Sequence, residues 1–363
     1  MAPKFHRLKI REVRKETPDC VSISLELPDS ETTRQYAFQP GQYLTFNAVI
    51  NGETVRRSYS ICTAPHEEDL RVAVKLVSGG RFSTYANDTL KAGDALDVMT
   101  PMGNFTVNTQ PDQNRHFVAF AAGSGITPIM SVVKAILHDE PESQVTLIYG
   151  NRSVESIIFR NQLDALKNKY IGRLAVHHLL SRETLGNPLF SGRIDEEKTT
   201  AFCKSLFDPL SIDAFFLCGP EQMISAVKTT LLHLGVDDHR IRYELFTTPS
   251  SGQQEVAKTS KSVHTFNADR QSQVTIRLDG NEFSLQIPFG GPTILDAALK
   301  AGADLPYACK GGVCCTCRAK LIEGEADMEV NYALEQEEVD AGFILTCQSH
   351  PRSDTLMVDF DIK

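Results

Sequence analysis

Short runs of β-branched and aromatic residues, broken by turn residues, open the chain. Phe5 to Val13, Val21 to Leu27, Tyr43 to Ile50, Val55 to Ile61 and Leu70 to Leu76 are such runs, with Pro, Gly, Asp and Asn between them. That punctuation predicts an antiparallel β-barrel over residues 1–110. From about residue 115 the pattern changes. His116 to Ala122 is a continuous apolar run, as in a strand buried on both faces, and a Gly-rich turn and a helical stretch from Met130 to Leu137 follow it. A second such strand, Gln144 to Tyr149, and others at Leu174 to Leu180 and Asp213 to Cys218 predict a parallel sheet with crossover helices over 111–247. Residues 248–272 are rich in Ser, Thr, Gln and Lys and read as a linker. A last module, 273–363, alternates again. Gln273 to Leu278 and Glu282 to Ile287 are joined through Asp279-Gly280, a helix is expected from Thr293 to Ala301, and Leu356 to Asp361 closes the module.

Length and composition agree with two to three ordinary globular domains: 363 residues, 41% hydrophobic and 23% charged. The most apolar stretch, Phe117 to Leu137, is interrupted by Gly123, Gly125, Pro128 and Lys134, so it reads as strand and helix and no membrane association is expected. A start without an apolar leader, together with nine cysteines, leads to the expectation of a reducing, cytoplasmic location. Charge is uneven. Residues 271–363 hold 15 Asp and Glu against 7 Lys and Arg, whereas the rest holds 31 against 30. An acidic module argues against nucleic acid; it suits docking on a basic protein surface, or simply keeps the module soluble.

The strongest chemical signal lies in that module. Cys309, Cys314 and Cys317 are spaced C-x4-C-x2-C, and Cys347 follows thirty residues on. This is the plant-type spacing for a [2Fe–2S] cluster held by four thiolates. Gly311 and Gly312 are expected to let the loop turn tightly and bring amide N–H groups to the sulfurs. A zinc site favours C-x2-C pairs, an odd cysteine count argues against disulfides, and plain buried thiols do not cluster within nine residues. Cys315, a fifth thiol inside the loop, would break the spacing and is read as a small buried bystander.

Upstream, each motif is weaker alone. Arg57, Tyr59 and Ser60 suit a pyrophosphate, a planar ring and a ring nitrogen, though Arg-Ser-Tyr-Ser equally reads as a plain strand. Gly79-Gly80 opens a short helix whose free N–H groups suit a phosphate, with Phe82 and Ser83 in its first turn; a plain turn is the alternative. Ala121-Ala-Gly-Ser-Gly-Ile-Thr-Pro128 sits between strand and helix, where phosphates bind, but departs from G-x-G-x-x-G. Ser181, Arg182 and Arg152 are candidates for an adenosine 2′-phosphate, or an exposed polar loop. Cys218-Gly219-Pro220 ends a strand, with no His pairing that would mark a nucleophile.

Taken in one order, Arg57-x-Tyr59-Ser60, Gly80-x-x-Ser83, Gly123-x-Gly125-x-Thr127-Pro128, Cys218-Gly219-Pro220 and the cysteine loop resemble the ferredoxin–NADP reductase superfamily with a fused C-terminal ferredoxin. The resemblance spans nearly the whole chain. It implies three domains: a FAD-binding antiparallel β-barrel, an α/β NADP domain and an α+β ferredoxin domain of the β-grasp type. It also implies that Arg57, Gly80, Phe82 and Ser83 lie at the flavin phosphates, with Tyr59 and Ser60 at the isoalloxazine. Gly123, Gly125, Pro128, Gly219 and Pro220 would line the nucleotide site, and Thr127 and Cys218 would flank the nicotinamide. Glu244 and Phe246 would close over the flavin; Ser60, Thr127, Cys218 and Glu244 would be nearest the chemistry. Ser181 and Arg182 would favour NADPH while tolerating NADH. FAD and FMN are not separated by residues alone.

Nicotinamide gives two electrons as hydride and a [2Fe–2S] centre takes one at a time, so a flavin must stand between them. The resemblance therefore implies an NADPH–FAD–[2Fe–2S] reductase serving the oxygenase subunits of a multicomponent di-iron monooxygenase. No di-iron Glu-x-x-His pair stands out in this chain. A reductase for a ring dioxygenase, a desaturase or a hybrid-cluster protein is the near alternative. A redox-sensing regulator would show little NADPH-driven reduction of cytochrome c, and a zinc scaffold would be colourless.

Overall fold

In a computed structural model, which describes residues 4–184, 186–246 and 270–362, the chain forms two compact units, one of residues 5–246 and one that holds residues 270–362. The first unit begins with β1 (Phe5–Thr17), β2 (Cys20–Glu26), α1 (Ser30–Gln35), β3 (Tyr43–Ile50), β4 (Glu53–Ser60), β5 (Leu70–Lys75), α2 (Arg81–Asp88) and β6 (Ala95–Met99). The six strands form one antiparallel sheet in the order β4-β3-β6-β1-β2-β5. Its edges meet through an Ile61–Val72 bridge and a Cys62 N–H to Arg71 O bond of 2.9 Å, so the sheet curls into the expected barrel. Leu8, Ile23, Leu44, Phe46, Val72, Val74, Phe82 and Val98 fill it.

A parallel sheet follows: β7 (His116–Ala122), α3 (Ile126–Asp139), β8 (Gln144–Asn151), α4 (Arg160–Lys169), β9 (Leu174–Leu180), α5 (Glu196–Ser205), β10 (Ala214–Cys218), α6 (Glu221–His233) and β11 (Ile241–Glu244). The order is β11-β10-β7-β8-β9. After β7 the chain steps outward to β8 and β9, then returns to the other side of β7 for β10. The reversal places a topological switch point between the C-terminal ends of β7 and β10. Helix α3 starts four residues earlier than the apolar run suggests, because Pro128 falls in its first turn, where a missing N–H costs nothing. Every residue from Ile126 to Leu137 is buried. Lys134 among them is held by Glu67 (3.0 Å) and Cys62 O (3.4 Å), both from the barrel side. Ser131 Oγ likewise donates to Thr63 O at 2.6 Å, which seats α3 against the barrel.

The second unit contains β12 (Gln271–Leu278), β13 (Asn281–Pro288), α7 (Ile294–Lys300), β14 (Arg318–Glu323), β15 (Ala326–Met328), α8 (Gln336–Asp340), β16 (Phe343–Leu345), β17 (Ser349–Pro351) and β18 (Thr355–Asp359). A mixed sheet of order β13-β12-β18-β14-β16 packs α7 on one face, the expected β-grasp arrangement. The β12–β13 turn uses Asp279 and Gly280, both at positive φ, as a tight hairpin requires. Asp361 accepts from both of their amides at 2.9 and 2.8 Å. The stretch expected as a linker lies outside the described residues except for its last three, and Gln271 and Ser272 already belong to β12. Among the described residues no helix is long and apolar enough to cross a membrane.

Candidate functional site

Two groups of residues assemble, one in each unit. In the second unit, the loop between α7 and β14 carries Cys309, Cys314 and Cys317, and Cys347 follows β16. Cys314 Sγ donates to Cys309 Sγ at 3.1 Å. Hydrogen bonds from Cys314 and then Cys347 hold the Cys309 thiol far below its usual range, whereas Cys347, which bonds to Cys309 and Cys317, is held well above. Four sulfurs crowded around one another, with Cys309 the least buried, make a donor set that fits a four-thiolate cluster. The loop differs from the sequence expectation in one detail. Left-handed backbone falls on Lys310 (φ 53°) and Gly312 (φ 74°), not on Gly311. Gly311 instead aims its N–H at Cys309 Sγ (3.3 Å), and a Cβ on Gly312 would lie 3.0 Å from Val330 O. Gln348 Nε2 lies 3.6 Å from Cys347 Sγ, a further donor toward the cluster position. The Cys315 thiol donates to Ala333 O at 3.2 Å, as a bystander should.

In the first unit the barrel contributes β4 and the start of α2. Arg57 is exposed, its Nη1 resting on Arg56 O at 2.7 Å, and is free to exchange that carbonyl for an anion. The partly buried Tyr59 ring packs on Phe82 (5.4 Å) and Phe46 (6.1 Å), and burial pushes its phenol upward. Phe82 is 1% exposed, so its ring belongs to the barrel core and only its backbone amide, in the first turn of α2, is left to meet an anion there. Gly79 (φ 71°) turns the chain into α2, which has no side-chain cap at Gly80. Its first amides are the unsatisfied donors an anion needs. Ser83 Oγ is used within that turn, donating to Gly80 O and accepting from Val77 N, both at 3.1 Å.

The parallel sheet contributes its C-terminal edge. Gly125 and Cys218 are back to back across the switch point: a Cβ on Gly125 would lie 2.0 Å from Cys218 O. Gly219 is less crowded: a Cβ there would lie 2.8 Å from the end of the flexible Met223 side chain and 3.2 Å from Ala122. Gly123 (φ 55°) is open apart from Lys75 Nζ, 3.9 Å from where its Cβ would be. An open glycine loop facing a cation fits a pyrophosphate. Lys75, which also pairs with Asp19 at 3.5 Å, is a candidate that sequence reasoning missed, since nothing local distinguishes it from any strand-end lysine. Thr127 Oγ1 donates to Ser124 O (3.0 Å), and Pro128 is buried beneath the loop. Pro220 precedes the first turn of α6. At the far side, Ser181 N–H bonds Asn151 O (3.0 Å) and Arg182 N–H bonds Arg152 O (2.8 Å). Ser181, Arg182 and Arg152 are therefore exposed together beyond β8 and β9.

The two parts of this unit meet at Glu244. It ends β11 opposite Cys218, and Ser60 Oγ donates to its Oε2 at 3.1 Å. Ser60, Cys218 and Glu244 are thus one cluster, while Phe246 lies 41% exposed at the end of the described segment. Burial pushes the Glu244 carboxyl up to about 8, against the pull of the Ser60 hydrogen bond. Burial, and next the Glu244 charge, raise the Cys218 thiol far above its usual range. It stays a neutral thiol, which supplies bulk rather than a nucleophile.

A carboxyl raised in the fold holds its proton longer than in the unfolded chain. Stability should therefore fall as pH rises from about 4.5 to about 8, and the cost should persist above that. Glu244→Gln removes the cost, so the variant should gain roughly 1–3 kcal/mol on the wild type at pH 8.5 and almost nothing at pH 4.5. Urea unfolding at the two pH values reads the difference; a gap that does not widen with pH would contradict the raised carboxyl.

The two assemblies match known domain families segment by segment. Residues 7–107 match the oxidoreductase FAD-binding domain, 120–229 the oxidoreductase NAD-binding domain and 276–352 the 2Fe-2S iron-sulfur cluster binding domain. A subunit of the 1,2-phenylacetyl-CoA epoxidase of Escherichia coli (strain K12) is 44% identical over 99% of this chain and 98% of its own length. The chain belongs to the family of FAD-, NAD- and [2Fe–2S]-domain reductase components of oxygenases. Another member, the ferredoxin reductase component of the 3-ketosteroid-9-alpha-monooxygenase of Mycobacterium tuberculosis (strain CDC 1551 / Oshkosh), is 35% identical over 98% of this chain and 95% of its own. Among solved structures, phthalate dioxygenase reductase, described as a modular structure for electron transfer from pyridine nucleotides to [2Fe-2S], aligns with a TM-score of 0.55 and 27% identity over 98% of each chain. This reductase is an oxidoreductase, and the sequence expectations of its three-part architecture and its cofactor set are met. Membership in the family also answers the regulator and zinc-scaffold alternatives.

Proposed function

We propose that this reductase takes electrons from NADPH and delivers them to a di-iron oxygenase, the 1,2-epoxidase that acts on phenylacetyl-CoA in phenylacetate degradation. The observation that carries the reading is 44% identity to the epoxidase component, sustained over both chains nearly end to end. Bound FAD supplies the conversion between hydride and single-electron transfer, and the [2Fe–2S] cluster supplies a one-electron outlet. The protein's part is to place them. Arg57 and the first amides of α2 hold the flavin phosphates, and Tyr59 packs against the ring system. Gly123, Gly125, Gly219 and Lys75 admit the nicotinamide nucleotide at the switch point, with Thr127 and Cys218 beside its reactive ring. Ser181, Arg182 and Arg152 read the adenosine 2′-phosphate. Glu244, largely protonated at neutral pH and bonded to Ser60, would hold a proton beside the flavin site.

Reconstitution tests this. The purified reductase, mixed with the epoxidase oxygenase components and phenylacetyl-CoA, should consume NADPH in step with epoxide formed, and NADH should serve several-fold less well. NADPH oxidation uncoupled from product, alongside coupled turnover with a steroid or ring-dioxygenase system, would move the assignment to that partner.

A further inference from the structure

A cluster unrelated to electron transfer lies where the barrel meets the parallel sheet. His66 sits on the loop between β4 and β5, and His138 and Asp139 end α3. The two imidazoles stack with centroids 3.7 Å apart and planes 12° from parallel. One donor atom from each of the three residues falls within 4.8 Å of the other two. Asp139 Oδ1 is 2.7 Å from His138 Nδ1, while Thr109 Oγ1 donates to Oδ2 at 2.8 Å. The threonine thus fixes the carboxylate through Oδ2, as outer partners do in metal sites, while Oδ1 pairs with His138 Nδ1 and would exchange that contact for an ion. Neither segment depends on these side chains for its place. Ser131 to Thr63 and Lys134 to Glu67 already hold loop and helix together.

We propose that His66, His138 and Asp139 bind one divalent transition cation of the Ni²⁺/Zn²⁺ class, which ties the barrel to the parallel sheet. Two imidazoles and a carboxylate are a borderline donor set suited to such ions and poor for Mg²⁺ or Ca²⁺. Both rings are exposed, so a turn about Cβ–Cγ lets their nitrogens converge on one ion, and water completes the coordination. Glu67 and Asp139 add favourable charge there, against the opposing charge of Lys169.

Calorimetric titration of the holoprotein with Ni²⁺ at pH 7.5 tests the site, with the cluster intact so that its cysteines are occupied. One equivalent should bind. His66→Ala and His138→Ala should each weaken binding at least about tenfold, and Asp139→Asn several-fold. Because the ligands come from both sides of the seam, saturating Ni²⁺ should raise the unfolding midpoint of the flavin-bearing unit in the wild type and leave His66→Ala unchanged. No saturable binding, or wild-type affinity in His66→Ala, would overturn the site. Binding without a midpoint shift would overturn the tie.

Discussion

Replacing Cys347 by Ser should stop electron delivery while leaving flavin reduction almost untouched. Cys347 is 5% exposed and bonds to both Cys309 and Cys317, so it closes the sulfur group from the side opposite the C-x4-C-x2-C loop. A hydroxyl in its place is a far weaker ligand for iron than a thiolate. Cys315 is engaged with Ala333 O. Reduction of the oxygenase partner should drop by a factor on the order of 100 or more, with loss of iron and acid-labile sulfide. The residues proposed to receive flavin and nucleotide lie in the other compact unit, so NADPH should still bleach the flavin band at within about twofold of the wild-type rate. Stopped-flow absorbance separates the two. Loss of both would break the order in which the centres are placed here.

Gly125→Ala should be the second severe change. A methyl there would stand 2.0 Å from Cys218 O and 2.8 Å from Gly219 N, and both obstacles are backbone. No rotamer relieves the clash, so the β7–α3 turn must move away from the end of β10. Relaxation of that kind costs about 1–3 kcal/mol. Its functional cost should be larger, since the same turn is proposed to admit the nucleotide and a displacement near 1 Å lowers a positioned reaction by about 100-fold. Flavin reduction by NADPH should therefore slow by that order, while dithionite still reduces the cluster normally. Gly123→Ala offers a contrast. Its neighbourhood is open, so its cost should come from backbone strain at φ 55° rather than collision, and its effect should be milder.

The difference between those glycines shows where sequence reading stops. Both belong to one motif, and both read as a turn that admits phosphate. Only the structure tells that one faces open space and the other a carbonyl contributed from a distant strand end. The short strands Ala95–Met99 and Ile241–Glu244 were equally illegible. Neither has a pattern strong enough to announce itself; each is a strand because a partner offers its ladder, β1 and β3 for the first and β10 for the second. Loop detail was readable only in part. The need for positive φ near the cysteines was foreseeable, but its assignment to Lys310 rather than Gly311 depends on where the sulfur must receive an amide.

The sequence by itself determined the cysteine spacing that suits a cluster, the barrel-then-parallel-sheet order and the glycine turns, because each is written in a local pattern: thiol spacing, alternation against continuous apolar runs, and residues that permit rare backbone angles. Tertiary structure alone decided the Ser60–Glu244 contact across 184 positions, the seating of Gly125 on Cys218 and the pairing of His66 with His138. Such pairs carry no signal in a single chain. They exist because folding brings distant segments into contact, and burial and neighbouring charge there set chemistry that no residue possesses alone.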